Sequence, residues 1–298
     1  MGYGSYSYAA HQAITGARAN LPGQEVFKHR EVHPLMNPKG VKFRESRDSK
    51  EHPNTVSVVF ALDVSGSMGA VPEQIARHAM PTFMKSLMDA GVADPQVLFM
   101  AFQDAAGPDG PLQVGQFEST AELMDQWLTW TWIVGGGYSE FESYDLAMYF
   151  AAKHTRLDSF EKRGKKGYFF MSGDEPCYPS LLASFVTDVI GDALPADLPL
   201  ANVVADLKKS YHPFFLIPDP GRAGVAPFWK SHLGEAAIVL AEPGDVCPVS
   251  AGAIAINEGF VPSVGAFGEL LGKQGLDAAR VGRIADALRP WAKSVGKD

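Results

Sequence analysis

One aspartate and two serines alternate with other residues directly after an apolar run. Asp63, Ser65 and Ser67 form a DxSxS motif, with Gly66 inside it and Gly69 just beyond it. Carboxylate and hydroxyl oxygens at this spacing suit a hard divalent cation such as Mg²⁺, which prefers octahedral oxygen coordination and keeps some of its water. We expect both serines to ligate directly, while the glycines let the turn tighten. The motif predicts part of a cation site.

Two further polar loops carry acidic and hydroxyl side chains. Ser139, Glu140 and Glu142 follow a run of three glycines, and Asp174 and Glu175 follow a later apolar run. In an open parallel sheet, the loops at the carboxyl ends of the strands gather over one edge, where ligands bind. Residues far apart in the chain therefore converge there. We expect these two loops to join the DxSxS motif.

A site built in this way favours recognition of another molecule. Asp63 and Asp174 would bind the cation directly or hold its coordinated waters. Because the hydroxyls are neutral and the carboxylates are few, the cation would stay electrophilic enough to accept an acidic side chain from a partner. This chemistry predicts metal-dependent protein binding.

The elements that position these loops follow from the apolar patterning. Short β-branched or apolar runs predict strands at 55–62, 96–102, 112–117, 167–171, 212–217 and 237–240. Helical spacing predicts helices at about 72–90, kinked at Pro81, and at 142–157, 200–210, 247–258 and beyond Gly259. Strands alternating with helices imply right-handed crossovers. The pattern predicts an α/β fold with a doubly wound, mainly parallel sheet and helices on both faces.

The chain divides into three predicted segments. Residues 1–54 lack a sustained period and are predicted to be an arm lying across a domain, residues 55–258 form the α/β domain, and residues 259–298 form a helical extension packed against it. Apolar residues make up 46% of the 298 residues and charged residues 20%, as in soluble globular proteins.

Composition excludes several classes of function. The net charge of −8 argues against nucleic-acid binding, and the basic cluster at 162–166 is predicted to be a solvated turn. Cys177 and Cys247 are too far apart for a zinc clip, and both are expected to be reduced. Because no apolar run has the length of a signal core or a membrane span, we expect a cytoplasmic protein with no membrane partner.

Enzymatic alternatives fit the motifs poorly. A metal-dependent phosphatase of the haloacid-dehalogenase kind needs an acid/base aspartate where this chain has Ser65. Neither Ser65 nor Ser67 lies in a GxSxG elbow, and the triple glycine lacks the GxGxxG spacing of a dinucleotide site. The histidines are interpreted as surface or packing residues: His52, His78, His154, His212 and His232. We expect no catalytic activity.

The segment Phe60–Met68 resembles the metal-ion-dependent adhesion site of the von Willebrand factor A (VWA) domain family, and the order of strands and helices over 55–258 is similar to that family. The resemblance implies a Rossmann-like sheet that holds Mg²⁺, or Mn²⁺ or Ca²⁺, for protein recognition. The DxSxS residues, a hydroxyl of a second loop and an aspartate of a third loop would be the ligands.

The second and third loops resemble particular members of the family. The family usually supplies threonine in the second loop, whereas 135–143 looks like a bacterial variant with a glycine-rich loop leading to Glu-Ser. Glu142 and Ser139 rank ahead of Ser143 there, and Asp174 is the choice in the third loop. A ligating Glu142 would neutralise the cation further and weaken its pull on a partner's carboxylate.

The resemblance also implies a kind of partner. Cytoplasmic bacterial members of the family work beside AAA+ ATPases of the MoxR type, so an assembly of that kind is expected here. The remaining alternative is a structural scaffold domain in which the metal site is vestigial.

Overall fold

Strands and helices alternate along the chain, and the computed structural model describes residues 4–69, 71–75 and 80–298. The helices within these residues are α1 (Tyr8–Ala17), α2 (Gly23–Val26), α3 (Val71–Gln74), α4 (Met80–Ala90), α5 (Ala121–Thr129), α6 (Tyr144–His154), α7 (Asp158–Arg163), α8 (Ala183–Val189), α9 (Leu200–Ser210), α10 (Ala226–Leu233), α11 (Val246–Asn257), α12 (Val264–Lys273) and α13 (Ala278–Ser294). The strands are β1 (Arg44–Ser46), β2 (Val56–Asp63), β3 (Pro95–Phe102), β4 (Leu112–Val114), β5 (Thr155–Leu157), β6 (Gly167–Ser172), β7 (Ser180–Leu181), β8 (Leu198–Pro199), β9 (Tyr211–Ile217) and β10 (Ala237–Val239).

The central sheet has six strands in the order β10-β9-β6-β2-β3-β4. All neighbours pair in parallel except β3 and β4, which are antiparallel. From β2 the chain builds outward through β3 on one side and through β6, β9 and β10 on the other. The topological switch point therefore lies between β2 and β6, where ligands bind in folds of this kind. This confirms the predicted doubly wound α/β fold.

Strand β2 is mostly apolar because both of its faces are covered. Val58, Phe60 and Leu62 belong to the hydrophobic core on one face of the sheet, and Val59 and Ala61 belong to the core on the other. Each of these side chains is at most 2% exposed. Full burial of one such valine, leucine or phenylalanine stabilises the fold by about 1.5–3 kcal/mol. This burial anchors Asp63 at the carboxyl end of β2.

One predicted helix has a different end in the structure, and another is described only in part. The helix expected over 142–157 ends at His154, because Thr155–Leu157 forms β5 and pairs with β1. The helix expected over 72–90 is described as α3 and α4, and Ala79 of its apolar face lies outside the described residues, as does His78. Pro81 is the second described residue of α4, and residues 76–79, next to the predicted kink, lie outside the described residues.

Several elements were absent from the sequence-based prediction. Helices α5, α7, α8 and α10 are short or follow turn-rich segments, so their apolar faces give little periodic signal. The edge strand expected over 112–117 is limited to Leu112–Val114.

The amino-terminal segment has more structure than an irregular arm. It contains α1, α2 and β1, and α1 lies against α4 and α5. His11 of α1 is buried, and its Nδ1 is 2.9 Å from the hydroxyl oxygen of Tyr6. His52 contacts both Asp94 and the backbone carbonyl of Gly4. The segment is thus tied to the domain by specific polar contacts.

The carboxyl-terminal helices complete one layer of the fold. Phe267 of α12 and Ile284, Leu288 and Trp291 of α13 are buried in the same core as α11, as predicted for a helix packed on its own domain. Helix α11 is buried over nearly its whole length. Within the described ranges, none of the helices is both long enough and apolar enough to cross a membrane.

The basic cluster at 162–166 is largely neutralised by acidic neighbours. Lys162 pairs with Asp158, Arg163 with Asp48, and Lys165 with Glu258. Lys162 and Arg163 belong to the last turn of α7, and Gly164 ends the helix in the left-handed region with φ of 66°, so the cluster spans a helix end rather than a turn alone.

The buried His11 should make stability depend on pH. Burial, with Arg18 nearby, lowers the pKa of His11 from 6.5 to about 4, although Glu122 opposes the shift. On acidification, His11 is protonated near pH 6.5 in the unfolded chain but only near pH 4 in the folded chain. We expect this difference to lower the free energy of unfolding by up to about 3 kcal/mol as the pH falls from 6.5 to about 4.

Urea unfolding of the wild type and of His11→Gln across this pH range measures the effect. The glutamine variant should lose less stability on acidification than the wild type. Parallel stability profiles for the two proteins would contradict the assignment.

Candidate metal centre

Asp63 is the last residue of β2, and its carboxylate is fully buried with a hydrogen bond to each oxygen. Its Oδ1 accepts a hydrogen bond from the Ser65 backbone N–H at 2.9 Å. Its Oδ2 accepts one from the Tyr144 hydroxyl at 3.1 Å. Two donors therefore hold the carboxylate in one orientation at the switch point of the sheet.

The hydroxyls of the DxSxS motif link Asp63's loop to the loop after β6. The oxygens of Ser65 and Ser67 are 3.1 Å apart, and the Ser67 hydroxyl donates to Asp174 Oδ1 at 2.8 Å. Asp174 is 5% exposed and Ser65 is 4% exposed. Four of the predicted ligands thus meet at one edge of the sheet.

The glycine-rich loop is bound to the first loop through the backbone. Gly66 N–H donates to the Gly136 carbonyl at 2.8 Å, and Gly135 N–H donates to the Val64 carbonyl at 3.1 Å. A Cβ at position 66 would lie 2.9 Å from the Gly135 carbonyl oxygen, which is too close for a side chain. The motif therefore requires glycine at this position for the two loops to approach.

Glu142 brings a third carboxylate to the cluster. Its backbone N–H donates to the Pro176 carbonyl at 3.1 Å, which ties it to the loop carrying Asp174. The side chain is 3% exposed, and Oε2 is buried without a hydrogen-bond partner. Burial, followed by the charges of Asp63 and Asp104, raises the pKa of Glu142. An orphaned acceptor among acids fits a cation ligand.

The two serines of this loop bind elsewhere. The exposed Ser139 hydroxyl contacts the backbone of Phe141 and lies 3.2 Å from the Tyr178 hydroxyl. Ser143 Oγ accepts a hydrogen bond from Ala105 N–H at 2.9 Å. Of the three candidates, Glu142 is the one that the structure places beside the other acids. A ligand role for Ser139 stays a prediction.

The electrostatics of the cluster favour a bound positive charge. Burial raises the pKa of Asp63, hydrogen bonds from Ser65 oppose the shift, and the nearby Asp174 adds to it. No group of three or more His, Cys, Asp or Glu among the described residues is arranged to hold a metal by itself. A cation here would therefore depend on the serine hydroxyls as well, and mixed hydroxyl and carboxylate oxygens suit Mg²⁺, Mn²⁺ or Ca²⁺.

Three residues near the cluster have no role in the sequence motif. Tyr144 is fully buried between the rings of Phe102 and Trp229 and donates to Asp63. Asp104 follows β3 and accepts a hydrogen bond from the Tyr178 hydroxyl at 2.6 Å. Arg222 Nε lies 3.5 Å from Asp174 Oδ2. Only Asp104 carried a sequence signal, because it follows a predicted strand.

The histidines within the described residues act in packing, as expected. His154 Nε2 lies 2.8 Å from Asp192 Oδ2, and His212 and His232 are half-buried away from the motif loops. Cys177 and Cys247 are both free and buried.

Comparison with known proteins returned distant structural likenesses. No family model matches the sequence, and no curated protein matches it. The pilus adhesin SpaC from Lactobacillus rhamnosus GG is 14% identical, with a TM-score of 0.45 over 74% of this chain and 32% of that one. Proximal thread matrix protein 1 from the mussel byssus, in a structure with a zinc-occupied MIDAS motif, is 12% identical, with a TM-score of 0.42 over 70% of this chain and 50% of that one.

This chain thus spans about a third to a half of those structures. The fold assignment stands on the strand order and register of the sheet, and the site stands on its own side-chain contacts.

Gly173 should be intolerant of a side chain. A Cβ there would lie 2.0 Å from the Tyr144 hydroxyl oxygen, and that ring is fixed by its packed neighbours. We expect Gly173→Ala to lower the free energy of unfolding in urea by about 1–3 kcal/mol, as other overpacked cores do. Gly137→Ala is the control, because a Cβ there meets nothing within 4 Å. Equal stability of the two variants would show that Tyr144 is not fixed.

The two candidate hydroxyls can be separated by calorimetric titration with Mg²⁺ or Mn²⁺. Ser67→Ala removes the bridge between Ser65 and Asp174, so cation affinity should fall by about 10–100-fold. Ser139→Ala should leave the affinity unchanged, because its hydroxyl is bonded to Phe141 and Tyr178. A large loss in Ser139→Ala would instead make that serine a ligand.

Proposed function

We propose that this chain is a metal-dependent protein-recognition module of the VWA type. The observation that carries the proposal is the Ser67 hydroxyl, which links Ser65 to Asp174 beside the buried Asp63. The unpartnered Glu142 oxygen adds a further ligand to the same cluster. These oxygens would hold one hard divalent cation, with Mg²⁺ first and Mn²⁺ or Ca²⁺ as substitutes.

The arrangement supports recognition more than catalysis. When bound, a divalent cation supplies an open coordination position that an acidic side chain of a partner can fill. The chain's own part is to orient the ligands: Asp63 is held by Tyr144 and Ser65, and Asp174 by Ser67. Ser65 occupies the place of the acid/base group that a phosphatase of this topology needs, which supports a non-enzymatic role.

The number of carboxylates sets the strength of the interaction. With Glu142 as a third carboxylate beside Asp63 and Asp174, the site carries more negative charge than it would with those two aspartates and neutral hydroxyls alone. Because three carboxylates would neutralise the cation more fully, its attraction for a partner's acid would be weaker. We infer a reversible association rather than a permanent complex.

The partner is proposed from the sequence resemblance. An AAA+ ATPase of the MoxR type in a cytoplasmic assembly is the first candidate, because the motif resembles that of bacterial members of the family. The net charge of −8 supports a protein partner over nucleic acid.

Loss of the cation should abolish partner binding. The immobilised full chain should retain a partner from an extract of its source cells in Mg²⁺ and release it on chelation. Asp63→Ala should retain none, since it removes the carboxylate that Ser65 and Tyr144 orient. The exposed Asp188→Ala serves as the matched control.

Calorimetric titration with Mg²⁺ accompanies the retention experiment. It should show heat of binding for the wild type and Asp188→Ala and none for Asp63→Ala. A partner retained by Asp63→Ala in chelator would contradict metal-dependent recognition. Absence of cation binding by the wild type would instead favour the vestigial scaffold.

A further inference from the structure

A cavity of about 290 Å³ adjoins the metal centre. Ser67 and Asp174, two of the candidate ligands, line it together with Arg222. The other walls include the apolar side chains of Met68, Val71, Pro220 and Pro243. The volume is just below the roughly 300–1,000 Å³ typical of ligand sites. It accommodates one or two side chains of a partner.

Arg222 is held beside the cavity by a fixed backbone. It lies in the 3₁₀ segment Pro220–Val225 that follows β9. Asp219 begins this segment, with its side chain accepting from Gly221 N–H at 2.8 Å and its carbonyl accepting from Arg222 N–H at 3.0 Å. The loop at the carboxyl end of β9 therefore places the Arg222 backbone on the same edge as the metal centre.

The guanidinium is near two acids but not fully bonded to either. Arg222 Nε is 3.5 Å from Asp174 Oδ2, and Nη1 is 3.8 Å from Glu175 Oε1. Charge-assisted hydrogen bonds of arginine are normally about 2.7–2.9 Å, as between Arg47 and Asp158 at 2.7 Å. The Arg222 side chain is 46% exposed, whereas that of Asp174 is 3% exposed. Donors of Arg222 therefore remain free to bind an incoming acceptor.

Arg222 is the basic side chain among the residues lining the cavity, so it supplies the charge that favours an acidic occupant. The chain carries a net charge of −8, Asp174 and Asp219 line the cavity, and Glu175 lies beside Arg222. An acidic side chain approaching this edge meets like charges, and a divalent cation held by the serine hydroxyls and these acids would offset them only in part. A guanidinium presents two parallel N–H donors that match a carboxylate.

We infer that Arg222 is a second anchor for the partner's carboxylate, which it binds while the metal centre at Ser67 and Asp174 holds the other side of the same group. The inference rests on the proposed function and extends it to the kind of peptide recognised. The recognised element is a glutamate or aspartate next to an apolar residue, because Met68, Val71 and the prolines form an apolar wall beside the polar floor.

The alternative role for Arg222 is a simple counter-charge for Asp174 and Glu175. The two roles predict different results on removal of the guanidinium. A counter-charge that is removed would raise cation affinity and leave affinity for a carboxylate unchanged. An anchor that is removed would weaken carboxylate binding without weakening cation binding.

The test uses the Mn²⁺-loaded full chain and the blocked dipeptide acetyl-Glu-Leu-amide, with acetyl-Gln-Leu-amide as the uncharged probe. Water-proton relaxation by Mn²⁺ reports a carboxylate that displaces coordinated water, and the same signal measures Mn²⁺ affinity in each variant. Arg222→Gln should bind the glutamate probe about tenfold more weakly, the usual effect of losing one charged hydrogen bond. The affinity of Arg222→Lys for the glutamate probe should lie between those of the wild type and Arg222→Gln, since lysine keeps the charge but lacks the paired N–H donors of the guanidinium.

Arg289→Gln is the matched control, because Arg289 has a similarly exposed side chain on α13 and pairs with Asp286. It should match the wild type. Equal glutamate affinity in the wild type and Arg222→Gln overturns the anchor role and leaves the proposed function intact. A wild type that binds Mn²⁺ but neither probe also overturns it, whereas a wild type that binds no Mn²⁺ refutes the proposed function itself.

Discussion

Burial of several carboxylates at the end of one strand is the constraint on which the rest of this structure depends. Asp63, Glu142 and Asp174 are each at most 5% exposed. A low-dielectric interior penalises each negative charge, and neighbouring acids penalise one another. Donors from Tyr144 and the two motif serines offset part of that penalty. A divalent cation would offset the remainder, so cation binding would stabilise this edge of the sheet.

The parallel sheet makes such a concentration of acids possible. Strand β2 carries Asp63 to the switch point, and β6 carries Asp174 to the same level on the neighbouring strand. Backbone hydrogen bonds from Gly66 and Gly135 then fasten the glycine-rich loop over the pair. The hydrophobic cores on both faces keep the strands rigid beneath them.

Two side chains with opposite charges modify this edge in opposite directions. Glu142 adds negative charge within the cluster, and Arg222 adds positive charge at the wall of the adjoining cavity. In the proposed recognition, Glu142 would lower the attraction of a bound cation for an acidic partner, and the Arg222 guanidinium would add attraction from its side of the cavity. Specificity would then come from geometry as well as charge, since a carboxylate must reach both groups at once.

The sequence by itself predicted the strands of the central sheet, the mainly parallel fold and the place of the DxSxS residues at the end of β2, because buried strands and their polar ends follow local periodicity. Strand β2 and Asp63 were predictable for this reason. Only the tertiary structure decided that Glu142 rather than Ser139 points among the acids, that Tyr144 orients Asp63, and that Arg222 borders the cavity. Those outcomes depend on loop conformation and on packing between distant segments. Short-range patterns carry no information about either.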